Sequence, residues 1–404
     1  MRIILYTGKG GVGKTSVAAA TGVTLAAQGL RTLVMSTDAA HSLSDSFDHP
    51  LGSSPVPIAD RLWGQEVDSL RETERHWGAV QGWLAGLMNW ADLSDVTTEE
   101  MLVFPGMEEL FSLLEIKRHA ASGHYDVIVV DCAPTGETLR LLSYPNVLGW
   151  WMDKIFPYER RLVKLVRPVA KIVTGGLELP DDNVMNSIES LARELELLQS
   201  LILDSETTSI RMVLNPEKMV ISEARRAFTY LNLFGFNTDA VVVNRVLPEE
   251  AATGYWAGWR AAQNKYEEEI RDCFSPLPIF RIPLMKSEVH GLPLLAQMGE
   301  AAFGGRNVSE VLHLGKVQDI RKEDDVYFLD LTLPFIDKSD LSLSQKGDEL
   351  TVQAGPYKRK VVLPRILLGR PIAGARFTEQ KLSIRFGERE LPQEPKKEEN
   401  DESR

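Results

Sequence analysis

Residues 3 to 15 read Ile3-Ile4-Leu5-Tyr6-Thr7-Gly8-Lys9-Gly10-Gly11-Val12-Gly13-Lys14-Thr15. An apolar run leads into a loop whose spacing fits G-x-x-x-x-G-K-[ST] at every fixed position. The run predicts a strand. The small apolar residues from Ser16 to Ala27 predict a helix. Together they make a strand–loop–helix unit that binds phosphate. Glycines at 8, 10, 11 and 13 let backbone N–H groups, with those of Val12 and Ser16, close around phosphate oxygens that a Cβ would keep away. In this pattern Lys14 bridges the β- and γ-phosphates of ATP, and the Thr15 hydroxyl holds Mg²⁺. The helix N-terminus adds a field that favours the anion.

Working outward, near-continuous aliphatic strands alternate with helical stretches. Thr32–Thr37, Val127–Val130, Ile210–Leu214 and Ala240–Val243 read as buried strands. That pattern predicts an α/β fold, a parallel sheet flanked by helices on both faces. Ligands in such sheets bind beyond the carboxyl ends of the strands. Two aspartates fall there. Asp38 follows the second strand and is placed to orient or deprotonate a water. Asp131 follows Tyr125-Asp126-Val127-Ile128-Val129-Val130, a Walker B pattern whose carboxylate holds Mg²⁺ through water. Thr15, Asp38 and Asp131 are therefore the candidate metal residues.

The chain has 404 residues, enough for more than one domain. Its net charge of −12 argues against general nucleic-acid binding. Two distant cysteines, Cys132 and Cys273, suggest neither a disulfide framework nor a zinc ribbon. No stretch approaches about 18 uninterrupted apolar residues, so no integral membrane span is expected. The first strand starts at once, which leaves no room for a signal peptide and makes a cytoplasmic location the expectation.

The loop Lys9-Gly10-Gly11-Val12-Gly13-Lys14-Thr15 resembles the deviant Walker A loop of P-loop ATPases. Several longer stretches narrow that resemblance to the arsenite-pump and tail-anchored-protein-targeting ATPase family. Asp38-Ala39-Ala40-His41-Ser42-Leu43-Ser44-Asp45-Ser46-Phe47 is similar to its switch I, and Asp131 to Leu142 to its switch II. Pro105-Gly106-Met107-Glu108-Glu109, Asn215-Pro216-Glu217-Lys218-Met219, Val243-Asn244-Arg245 and the Pro283 to Gly291 loop are similar to further family segments. The resemblance implies a homodimer that sandwiches ATP/ADP, with Lys9 reaching the partner's nucleotide. It also implies that Asp38 activates water, that Asn215 and Glu217 lie near the nucleotide, that Asn244 reads adenine, and that the loop from Pro283 closes over the base. There are departures. Ala39 stands where the family has proline, Ser42 where it has asparagine and Glu137 where it has histidine. The C-x-x-C of the eukaryotic targeting factor is missing, so no zinc is expected. Two unclustered cysteines form no trivalent arsenic site, which needs converging thiolates.

Between the switches the sequence turns apolar. Trp77 to Trp90 carries three tryptophans, and Leu148 to Phe156 and Leu162 to Ile172 are rich in aliphatics. In the family the corresponding helices form a groove for a client's transmembrane helix. Ordinary core packing is the competing reading of the same stripes. After about residue 322, period-two alternation predicts short strands at Val326–Pro334, Leu341–Ser344, Glu349–Gln353, Tyr357–Pro364, Gly374–Thr378 and Lys381–Phe386. Their order resembles an α-crystallin-like β-sandwich, read as a client-binding domain or as a structural appendage.

The expected organisation is an ATPase domain over 1–315, with a helical client-binding insert at about 71–104 and 144–205. An all-β α-crystallin-like module over 322–387 and a disordered tail over 388–404 complete it. The expected function is a homodimeric Mg²⁺-ATPase that opens and closes a groove for hydrophobic client proteins or transmembrane helices. The alternatives are an ATP-regulated chaperone or scaffold working through the C-terminal module, and an arsenite-stimulated ATPase.

Overall fold

The computed structural model describes residues 1–37, 42–90, 107–132, 182–324, 326–347, 349–363 and 366–389, the side chains of 83–90, 107–109 and 362 excepted. Asp38 and its neighbours to His41, the switch II stretch from 133, Pro105-Gly106, the insert over 91–104 and 144–181, and the tail from 390 lie outside the described residues. The chain divides into two compact units, Met1–Gly315 and Lys316–Arg404.

The first unit is built on an eight-stranded sheet. Its strands are β1 (Arg2–Thr7), β2 (Thr32–Ser36), β3 (Val56–Ala59), β4 (Leu62–Glu66), β5 (Val127–Asp131), β6 (Thr208–Leu214), β7 (Thr238–Val246) and β8 (Ile279–Pro283). Their order is β3-β4-β2-β5-β1-β6-β7-β8. All neighbours run parallel except the edge pair β3–β4, which is antiparallel. The central strands are buried on both faces, as their continuous aliphatic runs predict: Ile3, Ile4, Leu33, Val34, Ile128 and Val129 are fully buried. Because β1 lies between β5 and β6, the loop after β1 opens between the ends of those two strands. Register pairs Tyr6 with Asp131 and Thr7 with Met212.

Helices α1 (Lys14–Ala27), α2 (Ser42–Phe47), α3 (Ser69–Trp90), α4 (Met107–Ser122), α5 (Asp182–Leu203), α6 (Lys218–Phe234), α7 (Ala257–Phe274) and α8 (Gly291–Phe303) complete this unit's described helices. α1 is pinned to the sheet by Tyr6, whose hydroxyl lies 2.7 Å from Thr21 Oγ1. α3, α4 and α5 pack on one another. The stripe Val184, Ile188, Leu191, Leu195, Leu198 and Ile202 of α5 is buried, as are Trp77 and Val80 of α3. Lys117 of α4 pairs with Glu194 of α5 on the outside of that packing. Most described apolar side chains of the insert are thus core; Leu70 and Leu197 are the large exposed ones.

The second unit is all antiparallel. One sheet has the order β14-β15-β10-β9, from β9 (Gln318–Glu323), β10 (Val326–Thr332), β14 (Ile372–Thr378) and β15 (Lys381–Phe386). The other has the order β11-β12-β13, from β11 (Leu341–Lys346), β12 (Glu349–Ala354) and β13 (Tyr357–Val362). Alternation sets which face is buried: Leu329, Leu331, Leu382 and Ile384 on one sheet, Leu350 and Val352 on the other, are fully or almost fully buried. Gln345 joins the sheets, donating to Arg370 O and accepting from Ile372 N at 2.8 Å each.

Candidate nucleotide site

The loop between β1 and α1 is shaped by glycines that no other residue fits. A Cβ on Gly8 would lie 2.2 Å from the Val213 carbonyl oxygen of β6. One on Gly13 would lie 2.4 Å from Asn244 Nδ2, and Gly13 also takes a left-handed φ of 92°. Gly13 then starts α1, its carbonyl accepting from Val17 N at 3.1 Å. Gly13→Ala is expected to displace Asn244 and strain the loop, lowering ATP affinity about tenfold or more. Titration with a fluorescent ATP analogue measures it, with the thermal midpoint as the control for folding.

A cavity of about 810 Å³ opens over this loop. It is lined by Gly10, Gly11, Gly13, Lys14, Thr15 and Ser16 on one side. Asn244 and the stretch from Pro283 to His290 face them, and Ser42 and Asp45 of α2 close a third side. Lys14 is buried, with Nζ 3.4 Å from Lys9 O. The Thr15 hydroxyl lies 3.1 Å from that of Ser42. Ser42 thus brings the segment after Asp38 against the loop. Glu66, at the end of β4, fixes that segment from behind: its Oε1 accepts from Leu43 N, Ser44 N and Ser44 Oγ at 2.9–3.1 Å. No local sequence pattern marks Glu66, because its partners lie more than twenty residues upstream on another element.

Other candidate residues stand off the cavity lining. Asp131 ends β5 with its side chain buried, and its carbonyl accepts from Thr37 N at 3.0 Å. Asn215 follows β6. Its Oδ1 is buried with no hydrogen-bond donor among the described residues, and its carbonyl accepts from Glu217 N at 2.8 Å. Glu217 precedes α6 in extended backbone. Lys9 is not among the residues lining the cavity and pairs with Glu223 of α6, 3.5 Å away, both about one-third exposed. Asn244 is engaged twice: Nδ2 donates to Val12 O at 2.9 Å, and Oδ1 accepts from Arg245 N at 2.9 Å. It braces the loop, a role that Val-Asn-Arg as a motif does not disclose. Arg245, at a left-handed φ of 58°, also lines the cavity. Cys132 is buried, and burial pushes its thiol far above the ordinary range, so it carries no thiolate at neutral pH.

The donor set suits a magnesium nucleotide. Glycines hold the backbone open, a buried lysine sits at the loop's end, and the Thr15 hydroxyl at the start of α1 and the Asp131 carboxylate at the end of β5 are hard oxygen donors.

Comparison with known proteins finds matches over nearly the whole chain. The family model described as anion-transporting ATPase matches residues 1–303, and the HSP20-like domain found in ArsA matches 324–386. The chain is 39% identical over 377 residues to putative arsenical pump-driving ATPase 1 of Aquifex aeolicus, covering 91% of this chain and 95% of that one. It is 40% identical over 388 residues to the putative arsenical pump-driving ATPase of Chlorobaculum tepidum, covering 96% of each. It is 30% identical over 322 residues to an ATPase ASNA1 homolog of Trypanosoma cruzi, covering 74% of this chain and 89% of that protein.

Proposed function

Because this chain belongs to the anion-transporting ATPase family and is an ATPase carrying an HSP20-like domain, we propose that two copies of it clasp ATP and use its hydrolysis to reshape a surface that holds hydrophobic client proteins. The observation that carries the reading is the division of labour between two lysines. Lys14 is buried in the loop and lines the cavity, whereas Lys9 is not among the lining residues and pairs with Glu223. A lysine that does not serve its own nucleotide is free to serve a partner's. An exposed pair like Lys9–Glu223 is worth at most about 1 kcal/mol, so a triphosphate outcompetes it.

In this reading the backbone of Gly10 to Ser16 binds the phosphates, and Lys14 stabilises charge that develops on the transferred phosphoryl group. Asn244 keeps the loop in shape and, with the loop from Pro283, encloses the base. Asn215 Oδ1 and Glu217 lie next to α6 and offer polar atoms to the same nucleotide. Thr15 and Asp131, with Asp38, would hold Mg²⁺, which neutralises phosphate charge. Asp38 orients the attacking water and takes its proton. Neither cysteine suits trivalent arsenic, since Cys132 is buried as a thiol and Cys273 is far from it in sequence. Metalloid-stimulated turnover is therefore the weakest of the readings.

Lys9→Ala tests the clasp. It is expected to leave the affinity of a monomer for ATP within about threefold and to lower turnover by roughly tenfold or more. It is also expected to abolish any ATP-dependent gain in mass seen by light scattering. Unchanged turnover, or a mass indifferent to nucleotide in the parent chain, removes the in-trans role.

One observation favours a second reading, in which the C-terminal module holds clients and ATP regulates it. The described apolar residues of the insert, Trp77, Val80 and the α5 stripe, are packed rather than displayed. Removing residues 316–404 discriminates: client binding that survives belongs to the insert, and binding that is lost belongs to the module.

A further inference from the structure

The outward face of the four-stranded C-terminal sheet bears a groove that the nucleotide chemistry does not use. Cross-strand register sets Gly374, Arg385, Phe328 and Arg321 in one row. Arg376, Ser383 and Asp330 form the next. On the two inner strands the residues between them, Leu329 and Ile384, are buried, so there the rows face outward. They border a cavity of about 520 Å³, to which Lys381 and Glu379 also contribute. β14 is the edge strand, and the groove opens beside it. A Cβ added at Gly374 would meet nothing within 4 Å, so the space above it is clear.

The charges in the groove are not balanced. Asp330, on the interior strand β10, has its side chain only 1% exposed. It accepts from Arg321 Nε at 2.8 Å, Lys381 Nζ at 2.7 Å and Ser383 Oγ at 2.5 Å. Burial opposes its ionisation, but hydrogen bonds from Lys381, Ser383 and Arg321 outweigh that and hold its carboxyl below the ordinary range. Asp330 is thus a fixed, internally neutralised anion that organises Arg321 and Lys381. Arg376 and Arg385 are exposed, and neither has a carboxylate partner among the described residues; Arg376 donates to Thr378 Oγ1 at 3.1 Å. Phe328, half-buried between the rows, gives the groove an apolar strip. In a chain with a net charge of −12, two exposed arginines without a carboxylate partner among the described residues are set against the general surface, although Glu379 also lines the groove.

We propose that this groove docks an extended acidic segment of a partner polypeptide, with Arg376 and Arg385 pairing its carboxylates and Phe328 meeting an apolar side chain. Arginine forks recognise carboxylates bidentately, and complementary charge of this kind sets specificity and association rate. RNA is the other polyanion to consider, and the groove suits it less well. The Arg321 guanidinium sits over the Phe328 ring, 4.1 Å from its centroid, and takes up a face on which a base would stack.

The test uses the full chain and a short fluorescein-labelled peptide of alternating glutamate and valine, read by fluorescence anisotropy. Binding is expected, weakening with salt. It should fall on the order of tenfold or more in Arg376→Glu/Arg385→Glu. It should fall also in Gly374→Phe, which fills the groove without removing a charge. ATP turnover and the thermal midpoint should be unchanged in both variants, and a peptide with lysine for glutamate should not bind. The proposal is overturned if the full chain does not bind the acidic peptide, if both variants bind it as the parent does, or if a labelled single-stranded RNA binds more tightly and is the ligand the variants lose.

Discussion

Asp38→Asn is expected to bind ATP as the parent chain does and to hydrolyse it at least about a hundredfold more slowly. Before residue 38, β2 ends at Ser36, and Thr37 N donates to the Asp131 carbonyl at 3.0 Å. After it, Ser42 touches Thr15, while Glu66 takes the N–H groups of Leu43 and Ser44. The residues on either side, Thr37 and Ser42, are therefore tied to the sheet and to the phosphate loop. Asparagine has the same size and keeps a carbonyl oxygen that can orient water. It cannot take a proton, so the loss reads out the base and not the shape. Binding should survive because Gly10, Gly11 and Gly13 to Ser16, which line the cavity, are left untouched by the substitution. Single-turnover phosphate release, beside ATP affinity by calorimetry, separates the two. Turnover within a few-fold of the parent would mean that another group activates water.

How much of this was readable in the residues depends on whether the signal is local. β1 and its loop were legible because hydrophobicity, glycine spacing and the following small residues all lie within one window. The strands of the C-terminal unit were legible for the same reason: Val326 to Thr332 and Lys381 to Phe386 alternate, and alternate burial follows. β3 and β4 escaped notice. Leu62-Trp63-Gly64-Gln65-Glu66 lacks an aliphatic run, and Gln65 and Glu66 are buried because partners on other elements satisfy them. β9 escaped too, since Gln318-Asp319-Ile320-Arg321-Lys322-Glu323 is charged and becomes a strand by pairing with β10. At the candidate site the glycines and Lys14 announce themselves. The bracing by Asn244, the clamp by Glu66 and the pairing of Lys9 with Glu223 join residues far apart in sequence, and only the fold brings them together. The acidic-peptide groove is of the same kind: Arg321, Arg376 and Arg385 are unremarkable until register lines them up.

The largest effect on stability is expected where sequence gave no hint, at Asp239. Its carboxylate faces Arg211 in the core, both side chains fully buried, with Nε to Oδ1 at 3.0 Å and Nη2 to Oδ2 at 3.3 Å. The pair does more than cancel charge. Arg211 Nη2 also donates to Val308 O at 2.9 Å, and Asp239 Oδ2 accepts from Leu312 N at 3.2 Å. A salt bridge between β6 and β7 thereby ties the segment after α8 to the sheet. Asp239→Ala removes the anion and leaves a guanidinium in a dry interior, which costs about 3–5 kcal/mol. The midpoint of urea unfolding should fall accordingly, with the slope little changed. Amide exchange should rise around residues 308–312 first, because those backbone groups lose their anchor. The double replacement Arg211→Met/Asp239→Leu should recover most of the loss, since two apolar side chains leave no charge to bury. If Asp239→Ala alone unfolds at the parent's urea concentration, the buried pair contributes nothing net. The segment after α8 would then be held by its apolar contacts, Val308 foremost among them.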